Sequence, residues 1–154
     1  MTVIRQEDFV QSIADALQYI SYYHPPDFIQ AMDQAYEKEQ NPAAKDALAQ
    51  ILINSRLCAE GHRPVCQDTG IVTVFLKIGM AVIWQTKSSV SIADMVNEGV
   101  RLAYRNPDNI LRASIVSDPI GQRINTQDNT PAVIHMELVP GSTVSVDIAA
   151  KGGG

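Results

Sequence analysis

The stretch Gly61-His62-Arg63-Pro64-Val65-Cys66-Gln67-Asp68-Thr69-Gly70 leads straight into Ile71-Val72-Thr73-Val74-Phe75-Leu76-Lys77-Ile78, and the character of the chain changes across it. Upstream, apolar residues recur at helical spacing: Phe9, Val10, Ile13, Ala14, Leu17 and Ile20 mark one helix. His24-Pro25-Pro26 stops it. A second helix is expected from Asp27 to about Gln40, with Phe28, Ile29, Met32 and Ala35 facing inward. Asn41-Pro42 supplies an N-cap and an N1 proline for a third. This helix carries Ala44, Ala47, Leu48, Ile51 and Leu52, and Gly61 suits its C-terminal cap. Downstream, residues 71 to 78 are β-branched and apolar and read as a strand.

Gly79 punctuates that strand, and Ala81 to Gln85 continues it or pairs with it. Ser91 with Asp94 resembles a capping box before a helix ending near Arg105, which Asn106-Pro107 breaks. The polar stretch from about Asn106 to Asn129 is longer than most structureless loops, a length that points to function or to some structure of its own. Ala132 to Val139 and Thr143 to Ala149 read as two strands around the Pro140-Gly141 turn. The expected fold class is α+β: a helical N-terminal segment, 1–60, then an α/β segment, 61–154, together part of a larger domain.

The chain has 154 residues, 45% hydrophobic, enough to bury one core. Its net charge is −5 and its pI near 5.0. An acidic chain without a dense Lys/Arg cluster does not suit generic nucleic-acid binding. The start, MTVIRQEDFV, has no apolar signal core, and no apolar run approaches the roughly 18 residues of a membrane span. The reading is cytoplasmic, with no membrane partner. The two cysteines, Cys58 and Cys66, make neither a disulfide framework nor a zinc finger.

A thiol, an amide, a carboxylate and a hydroxyl stand at four consecutive positions, Cys66 to Thr69. In a strand such neighbours would point to opposite faces, so a turn must make them converge. Gly61, Pro64 and Gly70 suit a loop that presents side chains. Against this, a free cysteine is commonly a small buried apolar residue, and Asp-Thr-Gly is an ordinary turn composition.

Cys66-Gln67-Asp68-Thr69-Gly70 closely resembles the signature of class I fumarases and their tartrate dehydratase relatives. Asn109-Ile110-Leu111-Arg112, Asn125-Thr126, Asn129-Thr130-Pro131-Ala132 and Lys151-Gly152-Gly153-Gly154 follow in the family's order. The resemblance spans about residue 50 to the end. It implies that the family's machinery continues past the glycines, in the same chain or in a partner subunit. The three glycines then read as native sequence.

The resemblance further implies an iron–sulfur hydro-lyase that interconverts fumarate and malate, small dicarboxylates, and a homodimer when complete. In this family three cysteine thiolates hold a [4Fe–4S] cluster and leave one iron open as a Lewis acid. Cys66 matches the first ligand. Gln67, Arg112 and Gly154 match substrate-facing positions: a hydrogen-bonding amide, a guanidinium fork for a carboxylate, and a glycine whose backbone approaches closely. Asp68 matches a catalytic position, as an acid group or as a carboxylate that orients hydroxide. Thr69 and Gly70 shape the loop. Cys58 reads as a buried helical residue, His62 as no partner for Cys66, Arg105 and Arg123 as surface charge, and Lys151 as an exposed lysine that could also help neutralise an anion. With one motif cysteine, this chain alone is expected to hold no stable cluster and to catalyse no hydration.

Other readings differ in class. A tartrate dehydratase-like hydro-lyase shares the motifs. A non-enzymatic binding domain would be a complete, soluble monomer without an exposed apolar patch. An anion-binding module would rest on the glycines, and no G-x-x-x-x-G-K-[ST] pattern accompanies them.

Overall fold

The Val/Ile-rich run after Gly70 forms the strand its composition predicts, and later strands assemble around it. The computed structural model describes residues 2–152. The elements in order are β1 (Thr2–Arg5), α1 (Gln6–Tyr22), α2 (Pro26–Lys38), α3 (Pro42–Gly61), β2 (Ile71–Gly79), β3 (Val82–Gln85), α4 (Ile92–Tyr104), β4 (Val116–Ser117), β5 (Ile124–Asn125), β6 (Val133–Val139) and β7 (Val144–Lys151). The fold is α+β. The chain divides into two compact units, one of Met1–Gln18 with Gln67–Gly154, the other of Tyr19–Cys66.

In the larger unit β2 lies between β6 and β7, parallel to the first and antiparallel to the second. Alternate β2 residues Val72, Val74, Leu76 and Ile78 are at most 4% exposed, as a strand with one covered face requires. The rest of the core comes from Phe9, Val10, Ile13, Ala14 and Leu17 of α1 and Met95, Val96, Val100, Ala103 and Tyr104 of α4. Each large side chain removed from water contributes about 1.5–3 kcal/mol. A side chain at Gly99 would start 2.6 Å from Ile13 Cβ, so α1 and α4 meet where α4 carries none. The capping box forms: Ser91 Oγ accepts from Asp94 N at 3.1 Å, and Asp94 accepts from Ser91 N at 2.9 Å.

The turn at Pro140-Gly141 joins β6 to β7 without pairing them. Each pairs with β2, and the turn crosses the end of β2, where Ala81 N donates to Gly141 O at 2.9 Å. A side chain on Gly79 would start 2.5 Å from that same oxygen. A turn signal reports where two strands are joined, not what lies between them. Strand β1 was not expected. It pairs in parallel with β3, about eighty residues away, and four residues carry too little pattern to announce that. The polar stretch 106–129 contains a short antiparallel pair, β4 with β5, whose bend is held by Asp118 accepting from Gly121 N and Gln122 N at 3.0 Å each.

In the smaller unit α2 packs on α3. Asn41 caps α3 as its sequence predicts, accepting from Ala43 N at 2.9 Å and Ala44 N at 3.3 Å. Two expectations need correction. No residue of α2 is buried; Phe28 remains 36% exposed and Ala35 is exposed. A two-helix layer offers an apolar stripe only one neighbour. The left-handed cap of α3 is His62 (φ 47°), not Gly61, which is the last helical residue. The His62 ring stacks on Tyr22 with centroids 4.6 Å apart. Among the described residues no helix is long and apolar enough to cross a membrane.

Candidate functional site

The loop before β2 is fastened at almost every residue. Gly70 has φ +65°, a left-handed conformation that favours glycine. A side chain there would start 2.2 Å from the Lys151 carbonyl, so the loop and the end of β7 lie backbone to backbone. Asp68 Oδ1 accepts from Gly70 N at 3.0 Å. Thr69 Oγ donates to the Arg112 carbonyl, and the Tyr104 hydroxyl donates to Thr69 O at 3.2 Å. Burial pushes the Tyr104 phenol up, and its hydrogen bonds to Thr69 and Asn129 offset part of that. The phenol therefore stays a donor at neutral pH.

The segment carrying Arg112 is anchored behind the cavity. Gln18 and Asn109, both buried, bond to each other: Asn109 Nδ2 donates to Gln18 Oε1 at 2.8 Å, and Gln18 Nε2 donates to Asn109 O at 3.0 Å. Leu111 is buried while Arg112 reaches the surface. Asn129, fully buried, donates from Nδ2 to Gly70 O at 2.9 Å. Its Oδ1 accepts from Ser114 N at 2.6 Å and Ile115 N at 3.1 Å.

Between these walls lies an open cavity of about 460 Å³, lined by Gln67, Asp68, Gly70, Ile71, Arg112, Ser114 and Lys151. The lining residues include two cationic types, one carboxylate, one amide and one hydroxyl. Among the described residues neither Arg112 nor Lys151 forms an ion pair. Such a lining suits a small anion with hydrogen-bonding groups. Three of the expected residues, Gln67, Asp68 and Arg112, thus share one cavity. Lys151, read from sequence as an exposed lysine with anion neutralisation as the alternative, and Ser114, which no motif singled out, line it too. The signal for Lys151 was the register that sets it opposite Ile71. Gly154 lies outside the described residues.

Cys66 is exposed. It lines a different cavity of about 560 Å³, within the smaller unit, together with His24, Ala47, Gln50, Ile51, Asn54 and Val65. Cys58 is 7% exposed, with Sγ 3.7 Å from Asn54 Oδ1 and 3.6 Å from Pro64 O, the buried helical residue expected. Among the described residues no group of three or more His, Cys, Asp or Glu side chains is arranged to hold a metal. Of the two thiols, that of Cys66 is open to solvent and that of Cys58 is not.

Beside the site Asp128, 8% exposed, accepts from Arg101 Nε at 3.0 Å and from Thr130 Oγ at 2.7 Å. Burial pulls its carboxyl up, but the Thr130 hydrogen bonds and the Arg101 guanidinium together hold it below the ordinary 3.8. A depressed folded-state value means that this stabilisation is complete at neutral pH. It is lost as pH falls from about 4 through the folded value. Asp128→Asn is expected to lower stability in urea melts at pH 7, with the gap to the unaltered chain narrowing at pH 3.

The family model described as fumarate hydratase (Fumerase) matches residues 10–154. The chain belongs to the fumarate hydratase family. It is 33% identical over 91 residues to a putative L(+)-tartrate dehydratase subunit alpha of Methanocaldococcus jannaschii, 59% of this chain and 31% of that protein. It is 30% identical over 119 residues to the anaerobic class I fumarate hydratase of Escherichia coli strain K12, and 30% over 125 residues to the aerobic one. Those alignments cover 77% and 81% of this chain but 21% and 22% of the relatives. The chain thus spans a third or less of the length of the curated relatives it matches.

Proposed function

We propose that this chain contributes the first cluster ligand and part of the substrate pocket of an iron–sulfur hydro-lyase that reversibly adds water to fumarate to give malate. One observation carries the reading. Gln67, Asp68 and Arg112, picked from the sequence as substrate-facing, converge with Lys151 on one cavity, in a member of the fumarate hydratase family. Cys66 would hold a [4Fe–4S] cluster, which when bound supplies an open iron as Lewis acid. The other ligands would come from outside the described residues, in the same chain or in a partner subunit. For that reason the 154 residues alone are expected to be inactive. Homodimers of a cytoplasmic protein complete the reading.

This chain's own residues have distinct tasks. Arg112 grips one substrate carboxylate through two parallel N–H bonds. Lys151 adds positive charge, so a dianion meets two cations against Asp68. Gln67 donates to a carboxylate or hydroxyl oxygen. Asp68 handles a proton at its carboxylate or orients hydroxide, while its Oδ1 stays tied to Gly70 N. Gly154 is proposed to bring its backbone to the substrate.

Tartrate is the second candidate substrate, favoured by the tartrate dehydratase relative at 33% identity. The complete gene product, prepared without oxygen and reconstituted with iron and sulfide, is expected to convert fumarate to malate and to lose that activity in air. Turnover of tartrate but not fumarate would replace the substrate and keep the hydro-lyase. Turnover of neither would end the reading. Arg112→Lys keeps the charge and loses the fork. Losing one charged hydrogen bond costs about 1.5–3 kcal/mol, so KM for fumarate is expected to rise roughly ten- to a hundredfold.

A further inference from the structure

Asn129 does not itself line the cavity, yet its side chain is bonded to both of the walls that form it. We propose that Asn129 is a positioning residue of the site, the joint that fixes Gln67 and Asp68 against Arg112 and Ser114. The inference rests on the functional reading above for what the cavity binds, and on the geometry alone for the joint.

Three observations carry it. Asn129 is 0% exposed, and its backbone sits at φ 59°, a left-handed conformation that asparagine tolerates better than most residues. Its carboxamide is used at both ends. Nδ2 donates to the carbonyl of Gly70, the residue that closes the Gln67–Gly70 loop, and Oδ1 accepts from the amides of Ser114 and Ile115 on the Arg112 segment. These partners are 59, 15 and 14 residues away in sequence, so the bonds are not a local turn.

The side chains nearest to asparagine in size or chemistry do not fit this joint. A donor and an acceptor are needed at the end of a short stem. Aspartate keeps the acceptor and loses the donor, leucine loses both, and glutamine is a methylene too long for a site without free space. The Thr69 hydroxyl joins the same two walls directly through the Arg112 carbonyl. Asn129 holds them from behind, and together the two bonds leave the walls one relative position. The consequence falls on binding geometry. A dicarboxylate gripped by Arg112 meets Gln67 and Asp68 only if the walls keep that position, and a displacement of about an ångström at a reacting site is enough to cost roughly a hundredfold in rate.

The test uses Asn129→Gly and Asn129→Asp in the complete gene product. The first keeps the backbone conformation and removes the joint; the second replaces the donor by a carboxylate oxygen that repels the Gly70 carbonyl. Val100→Ala, in the α4 core, serves as a control that lowers the melting temperature without touching either wall. Steady-state kinetics with fumarate are expected to show KM raised at least tenfold in both Asn129 variants and unchanged in Val100→Ala. A second readout needs no substrate. The side-chain NMR signals of Gln67 and Arg112 are expected to shift in the Asn129 variants and to stay in place in the control.

Unmoved signals and unmoved KM would overturn the proposal, as would equal changes in Val100→Ala. If both Asn129 variants fail to fold, the residue serves the fold and the positioning role is overturned. An unaltered protein that turns over neither fumarate nor tartrate would sink the hydro-lyase reading instead, and the NMR signals would still decide the joint.

Discussion

Replacing Cys66 with serine is expected to abolish fumarate hydration by the reconstituted gene product while leaving the melting temperature of the cluster-free protein unchanged. The side chain is exposed, so exchanging sulfur for oxygen removes no core packing. What changes is the ligand. A thiol ionises near pH 8.5 and more easily beside a metal, whereas iron–sulfur clusters are held by thiolates that serine cannot supply at neutral pH. Cys58→Ser is the informative contrast. Its thiol is buried beside Asn54 and Pro64, so the expected loss is in stability, with turnover per folded molecule kept. Visible absorbance of the cluster, turnover and melting, measured on both variants, separate the two cysteines. A Cys66→Ser protein that keeps absorbance and turnover would remove Cys66 from the site.

Gly70→Ala is expected to be the most destabilising single-methyl change in the larger unit, by about 3 kcal/mol or more. Two costs add. The left-handed backbone costs an alanine about 1–2 kcal/mol. The new methyl also starts 2.2 Å from the Lys151 carbonyl and 2.4 Å from Gly152 N. These are backbone atoms at the end of a paired strand and cannot swing aside, so β7 must separate from β2. Gly141→Ala isolates the first cost: φ is +111°, and nothing lies within 4 Å of the added methyl. Equilibrium urea unfolding of both variants decides the matter. Equal losses would mean that the collision relaxes freely and that the close approach at Gly70 does not hold the cavity.

Local chemistry wrote itself legibly into the sequence; pairing across distance did not. Asn41-Pro42 and the Ser91–Asp94 box announced helix starts because a cap is a contact between residues two or three apart. The run from Ile71 to Ile78 announced a strand through composition alone. The placement of β2 between β6 and β7, and of β1 against β3, depended on partners about sixty to eighty residues away. The same division holds at the site. Gln67, Asp68 and Arg112, which share the cavity, were singled out by motif, because their chemistry is carried in their identity. Ser114 and Lys151 line the cavity through register and loop path, and Asn129 acts through a carboxamide buried behind it, which no spacing rule reveals. His62, not Gly61, takes the left-handed cap, and its ring stacks on Tyr22, a contact made from the far end of α1 that spacing around Gly61 does not announce.

The order of strands also sets a timetable for a chain emerging from the ribosome. Residues 67–79 leave the tunnel long before their neighbours at 133–139 and 144–151 exist, so β2 waits with both edges unpaired. The Tyr19–Cys66 unit is complete in the chain before those strands are made. The wall made by Lys151 arrives last of the described elements. A nascent chain therefore displays the thiol of Cys66 early and completes the cavity beside Asp68 late. Its exposed, aggregation-prone interval ends only when β7 docks.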